Sequence, residues 1–158
     1  MMHHLKITSH FDQLDAKIVA ELSKDGRMSI TELARQVGLS KTPCQVRLRR
    51  LMSDGYILGF RAILDPGKFG LEHIAFTEVR LSDTREVALK KFNAAVRRIS
   101  EIEECHMIAG AFDYLLKVRT EDIRNYRHVL GEKISSLPFV ASTSTFVVMQ
   151  SIKDSDAS

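Results

Sequence analysis

With 158 residues, 44% of them hydrophobic and 27% charged, the chain has the balance of a globular protein and room for one ordinary domain or two small ones. No tract approaches the roughly 18 apolar residues of a membrane span, and the opening MMHHLKITSH lacks the apolar core of a signal peptide, so a cytoplasmic protein without membrane contact is expected. The net charge of +3 is unevenly held: residues 1–64 carry 10 Lys/Arg against 6 Asp/Glu, and residues 65–158 carry 13 against 14, so a polyanion-binding module attached to a neutral one is the expectation.

Asp12 is positioned to cap a first helix over Phe11 to Asp25, where Leu14, Ile18 and Leu22 recur on one face with Val19 beside them and Gly26 closes the segment. A second helix opens at Ser29, with Glu32 completing a capping box, and its apolar face is Ile30, Leu33, Ala34 and Val37. Gly38 can take the left-handed conformation that ends a helix, and Ser40 can cap the next. Pro43 falls in the first turn of that third helix, where a missing N–H costs little.

In the third helix Cys44, Leu48 and Leu51 form the inward seam. Thr42, Val46, Arg49 and Arg50 project roughly opposite it, with Pro43, Gln45 and Arg47 on the flanks. Lys41, Arg47, Arg49 and Arg50 fall within ten residues that hold no acid. Each helix alone is an ordinary amphipathic helix; their order, the glycine turn and the cationic third member together make the helix-turn-helix pattern.

The nine residues YILGFRAIL read as a strand or short hairpin packed under the helices. Asp65-Pro66-Gly67, followed by Gly70, is the strongest turn signal in the chain. The expected division is therefore a helix-turn-helix domain over 11–64, a linker over 65–72 and a second domain over 73–153.

From His73 the period becomes two: Ala75, Thr77, Val79 and Leu81 alternate with Ile74, Phe76, Glu78 and Arg80. Asp83 to Ile99 reads as a helix with the stripe Ala88, Phe92, Ala95 and Ile99. Glu103 to Ala109 and Tyr114 to Thr120 read as antiparallel strands joined by Gly110-Ala111-Phe112-Asp113. Ile123, Tyr126, Leu130, Ile134 and Leu137 mark a helix stopped before Pro138, Val140 to Gln150 a last strand, and KDSDAS a polar, frayed tail.

Strand, helix, strand, strand, helix, strand is the ferredoxin-like βαββαβ order, so the fold class expected is α+β: an N-terminal helix-turn-helix domain and a ferredoxin-like domain. Both helices should cover one sheet face. The other face would carry Ile74 and Phe76 with some of Leu115, Phe146 and Val148, too apolar to leave in water, and a homodimer is expected to bury it.

Other chemistries find little support. Cys44 and Cys105 sit in apolar periodic segments, as buried reduced thiols do. Cys105 and His106 alternate across a strand and cannot share a site, and no Cys-x-x-Cys, His-Glu-x-x-His, P-loop or nucleophile-elbow motif is present, so neither enzyme, metal nor cofactor is expected. RNA binding on the open sheet would require interleaved aromatic and basic residues, and only Phe76 and Phe146 offer aromatics there.

The blocks LDAKIVAELSKDGRMSITELARQVGLSKTPCQVRLRRLMSDGYILGF, FNAAVRRISEIEECHMIAGAFDYLLKVRT and YRHVLGEKISSLPFVASTSTFVVM resemble the leucine-responsive (Lrp/AsnC) family of prokaryotic transcription factors, across residues 11–153. The resemblance implies a winged helix-turn-helix, a ferredoxin-like domain that senses an amino acid, and dimers that assemble into tetramers or octamers to control amino-acid metabolism genes. Within the family the chain looks most like activators of proline dehydrogenase, with proline or leucine as effector candidates.

The family's effector pocket, which lies between dimers, maps onto Gly110, Ala111, Phe112 and Asp113, with Phe146, Val147 and Val148 nearby. Ala111 replaces an acid of the commoner loop. A glycine-bearing loop offers N–H groups to a carboxylate and Asp113 can pair an ammonium, although glycine and aspartate also serve as plain hairpin residues. On double-stranded DNA, Thr42, Gln45, Val46 and Arg49, on the helix opened by Ser40 and Pro43, are expected nearest to bases. Lys41, Arg47, Arg50 and Arg27 are expected on phosphates.

Overall fold

A computed structural model describes residues 11–153. The expected features of the first ten residues and of the tail beyond Lys153 lie outside the described residues. The chain divides between Ala62 and Ile63 into two compact units.

The first unit is built on three helices, α1 (Gln13–Lys24), α2 (Ile30–Val37) and α3 (Lys41–Ser53). Asp12 caps α1 in a reciprocal box: its carboxylate accepts from the Asp15 amide and the Asp15 carboxylate accepts from the Asp12 amide. At α2 only half of the expected box forms. Ser29 accepts from the Glu32 amide, while the Glu32 carboxylate is drawn sideways to Arg35 and Gln36. Gly38 ends α2 at φ 76°; nothing would meet a Cβ there, so the need for glycine is conformational. Ser40 stands at the N-cap of α3, but contrary to expectation its side chain makes no capping hydrogen bond.

Phe11, Ile18, Leu22, Leu33, Ala34, Val37, Cys44 and Leu51 form the buried core of this unit, with Leu48 partly buried against it. Side chains spaced three and four apart on three short helices can bury one another only by crossing, which holds α3 by its inner seam.

The strand expected over YILGFRAIL does not form; no regular element covers these residues. Tyr56 and Ile57 still join the unit, through a ring contact of 4.9 Å to Phe11 and an Ile57 N–H bond to the Leu51 carbonyl. Beyond them Leu58 is 95% exposed, and Phe60, Ile63 and Leu64 are exposed as well. β-branched and aromatic residues favour a strand only where another strand supplies hydrogen bonds, and none among the described residues pairs with this segment. Asp65 then caps a short 3₁₀ turn, Pro66–Phe69, by accepting from the Gly67 amide.

The second unit contains β1 (His73–Leu81), α4 (Glu86–Val96), β2 (Ile102–Met107), β3 (Tyr114–Thr120), α5 (Ile123–Val129) and β4 (Val140–Val147). The four strands form one sheet in the order β2-β3-β1-β4, every pairing antiparallel. This is the expected ferredoxin-like order. The last strand stops at Val147, short of Gln150, although the Val148 amide still reaches the Ile74 carbonyl.

The alternation along β1 and β3 places Ala75, Thr77 and Val79 with Tyr114, Leu116 and Val118 on one face, all buried. Phe92 and Val96 of α4 and Tyr126 and Val129 of α5 close that face. The helix after β3 departs from the expected pattern. Its inward residues are Tyr126 and Val129, with Ile123 54% exposed, and a π-helical turn, Leu130–Ile134, then carries the buried stripe on to Ile134. On the opposite sheet face Phe76 pairs with Phe146, and Phe146 is 54% exposed.

Candidate nucleic-acid interface and effector site

The outer side of α3 is defined by what its seam buries. Cys44 and Leu51 have no appreciable exposure, so at 100° per residue Thr42, Pro43, Val46 and Arg49 are turned outward, and all four are exposed. Gln45 is half-buried beside them and Lys41 is exposed. Lys41 and Arg49 have no carboxylate partner among the described residues, and the first turn of α3 holds no acid, so a positive helix end and two available cations share one surface. Arg27 is exposed in the turn between α1 and α2, its amide bonded to Asp25.

Arg47 and Arg50 behave differently from the expectation that both lie open as phosphate grips. Both are half-buried and folded back onto α1. Arg47 Nη1 donates to Asp12 Oδ2 at 2.7 Å and to Asp15 Oδ1 at 2.9 Å; Arg50 Nη2 donates to Asp15 Oδ2 at 2.5 Å. Arg50 in particular was expected opposite the apolar seam, but its long side chain returns to the acid.

Asp15 has no solvent exposure. Burial pushes its carboxyl up, but the Asp12 amide and the guanidiniums of Arg50 and Arg47 outweigh that and hold it below its ordinary value. Asp12 is also held low, chiefly by the Asp15 amide and then by Arg47. Neither acid was singled out as functional from the sequence. The signal was present: Asp15, Ile18 and Leu22 stand at i, i+3 and i+7, so an acid occupies the buried stripe and requires a cation.

In the second unit the loop Gly110-Ala111-Phe112-Asp113 joins β2 to β3. Gly110 and Ala111 are exposed, and Phe112 and Asp113 are half-buried. The loop is fastened through Asp113 at three points. Its carbonyl accepts from the Ile108 amide at 2.8 Å, its amide donates to Val79 at 2.9 Å, and its carboxylate accepts from the Leu81 amide at 2.7 Å. Asp113 therefore braces the hairpin onto the end of β1 while keeping a carboxylate at the loop.

Within one chain Phe146, Val147 and Val148 stand away from this loop, as a pocket shared between dimers would have them. Phe146 and Val147 pair with Phe76 and Ala75, whereas the loop is tied to Val79 and Leu81. Val79 and Leu81 lie three and five steps along β1 from Phe76, ~10 Å and ~16 Å.

Cys105 packs against the core, and His106 is exposed and bonded to Glu104, so the two point apart. Burial raises both cysteine thiols above their ordinary value. No helix among the described residues is long and apolar enough to cross a membrane.

Residues 74–158 match the family model of the Lrp/AsnC ligand binding domain, and residues 11–57 match that of a winged helix-turn-helix DNA-binding domain. The chain is 70% identical over 147 residues to the proline dehydrogenase transcriptional activator of Rhizobium radiobacter, covering 93% of this chain and 94% of that one. It is 46% identical to the leucine-responsive regulatory protein of Salmonella typhimurium over 92% of this chain and 88% of the relative.

Among solved structures, a transcriptional regulator from Neisseria meningitidis in complex with L-methionine superposes with TM-score 0.84 at 31% identity, over 90% of this chain and 92% of that one. An AsnC family regulator from Agrobacterium tumefaciens gives 0.85 at 33% identity, over 90% and 93%. These relatives are transcriptional regulators and not enzymes, and with its DNA-binding and amino-acid ligand-binding domains the chain belongs to the Lrp/AsnC family of DNA-binding transcriptional regulators.

Proposed function

We propose that the chain activates a proline dehydrogenase gene in response to an amino acid, with proline the first candidate. The observation that carries this reading is the 70% identity to a proline dehydrogenase activator along both units, DNA-binding and ligand-binding alike. In the working mechanism α3 enters the major groove of duplex DNA, Thr42, Gln45, Val46 and Arg49 lie nearest to base edges, and Lys41 and Arg27 contact phosphates. Arg49 is suited to guanine, Gln45 to adenine and the Val46 methyls to thymine. The DNA partner makes the cytoplasm the compartment of action.

The exposed apolar side of the sheet around Phe76 and Phe146 supports a homodimer, and further association to tetramers or octamers would bring one copy's Phe146, Val147 and Val148 toward another's Gly110-to-Asp113 loop. An amino acid bound there changes DNA occupancy only if it prefers one assembly, with a coupling of ~1–3 kcal/mol as the expected scale. The test is to select genomic fragments with the full chain, with and without proline, leucine and methionine. A fragment upstream of a proline dehydrogenase gene should be enriched and its enrichment should change with proline. Enrichment elsewhere, indifferent to every amino acid, would reject the reading.

A further inference from the structure

The terminal Nη1 of Arg47 bridges two acids of unlike exposure. Its Nη1 lies 2.9 Å from the buried carboxylate of Asp15 and 2.7 Å from that of Asp12, whose side chain is 52% exposed. Asp12, Thr42, Val46 and Arg47 line a common groove, so this exposed acid stands at the edge of the surface that would read DNA.

The two ion pairs differ in how readily they part. Removing a partner from a buried carboxylate is strongly unfavourable, whereas an exposed pair is weak and screened by salt. Asp15 therefore keeps Arg47 in place, and the Asp12 contact is the one that an incoming anion can replace.

We propose that Asp12 is an intramolecular stand-in for a DNA phosphate: it masks Arg47, so the guanidinium becomes a backbone grip only where a phosphate displaces the carboxylate. The proposal rests on the DNA-binding reading of α3. A masked arginine adds no net positive charge at that point, and DNA binding then releases no counterion on its account. Unmasking it should add one. Asp12 also caps α1 through its other oxygen, which accepts from the Asp15 amide, and asparagine caps a helix about as well as aspartate. Asp12→Asn therefore removes the charge and retains the cap.

The test measures binding of the full chain to a 30-base-pair duplex of random sequence, and to a duplex selected by the wild type, across a series of salt concentrations. D12N should bind both duplexes more tightly than wild type. Its plot of log affinity against log salt should be steeper by ~0.9 for each Arg47 engaged. In an Arg47→Gln background, which has no cation to unmask, the same substitution should change neither affinity nor slope.

An unchanged slope in D12N, with wild type binding normally, would overturn the proposal. So would a gain that persists alongside Arg47→Gln, because Asp12 would then be repelling DNA directly. Wild-type protein that binds neither duplex at any salt would reject the DNA-binding reading itself, and that result is visible before any variant is compared.

Discussion

The buried carboxylate of Asp15 on α1 meets the guanidinium of Arg50 on α3 at 2.5 Å, and the same carboxylate holds Arg47 at 2.9 Å. One acid thus fixes how α3 lies against α1, and it is itself fastened to the helix cap through the Asp12 amide. Asp15→Asn keeps the shape but weakens three charge-assisted hydrogen bonds. Both arginines can turn toward water, so the loss should be ~1.5–3 kcal/mol, the scale of hydrogen bonds to a charged group. Urea unfolding followed by a probe in the first unit measures it.

The same carboxylate makes the first unit sensitive to acid. Its folded pKa lies below the ordinary 3.8, so its stabilising contribution is complete above that value and is lost as pH falls through the lower, folded one. Stability of the first unit should drop below about pH 4, and the drop should be shallower in Asp15→Asn. An equally steep acid transition in that variant would place the effect on other carboxylates.

Arg49 and Lys41 separate base reading from backbone contact. Arg49→Ala should cost ~1–3 kcal/mol on a selected duplex and relax preference at one base pair. Lys41→Ala should weaken all duplexes alike and lower the salt slope by ~0.9 per site. Binding titrations on a selected and a scrambled duplex at several salt concentrations distinguish the two. Equal losses on both duplexes for Arg49→Ala would remove it from the reading edge.

What was legible in the sequence followed from how local each signal is. The strands His73–Leu81 and Tyr114–Thr120 have the bounds their alternation indicates, because each is central in the sheet and the middle of its inward face is buried. Gly38 and the apolar faces of α2 and α3 were equally local, whereas on α1 Ile18 and Leu22 are in the core with Asp15 in place of the expected Leu14. The segment from Tyr56 to Leu64 failed because strand formation depends on a partner, which composition does not encode. The pairing of Arg47 and Arg50 with Asp15 joins positions 32 and 35 residues apart, beyond the reach of any helical period. The separation of Phe146 from Asp113 likewise depends on the register of β4 against β1, which no single segment carries.

Phe146 tests the sheet-face dimer. It is 54% exposed beside Phe76, so covering it with a second copy would bury most of its ring. Phe146→Ala should weaken association by ~1.5–3 kcal/mol per copy, and Phe146→Glu should give monomers at micromolar concentration. Sedimentation equilibrium reads both. A dimer that persists in Phe146→Glu would place the interface elsewhere.

Asp113 has two roles that one pair of substitutions can separate. Its carboxylate accepts from the Leu81 amide, and asparagine can supply the same acceptor oxygen without the charge. Asp113→Asn should therefore retain the melting temperature while losing amino-acid affinity roughly 10-fold or more, the equivalent of a ~1.5–3 kcal/mol bond to the ligand's ammonium. Asp113→Ala leaves the half-buried Leu81 N–H without its acceptor and should also destabilise the second unit by ~1–3 kcal/mol. Calorimetric titration with proline, leucine and methionine, paired with thermal unfolding, measures both effects. If Asp113→Asn binds its amino acid as tightly as the wild type, the residue is a hairpin brace and the ligand's ammonium is held by another group.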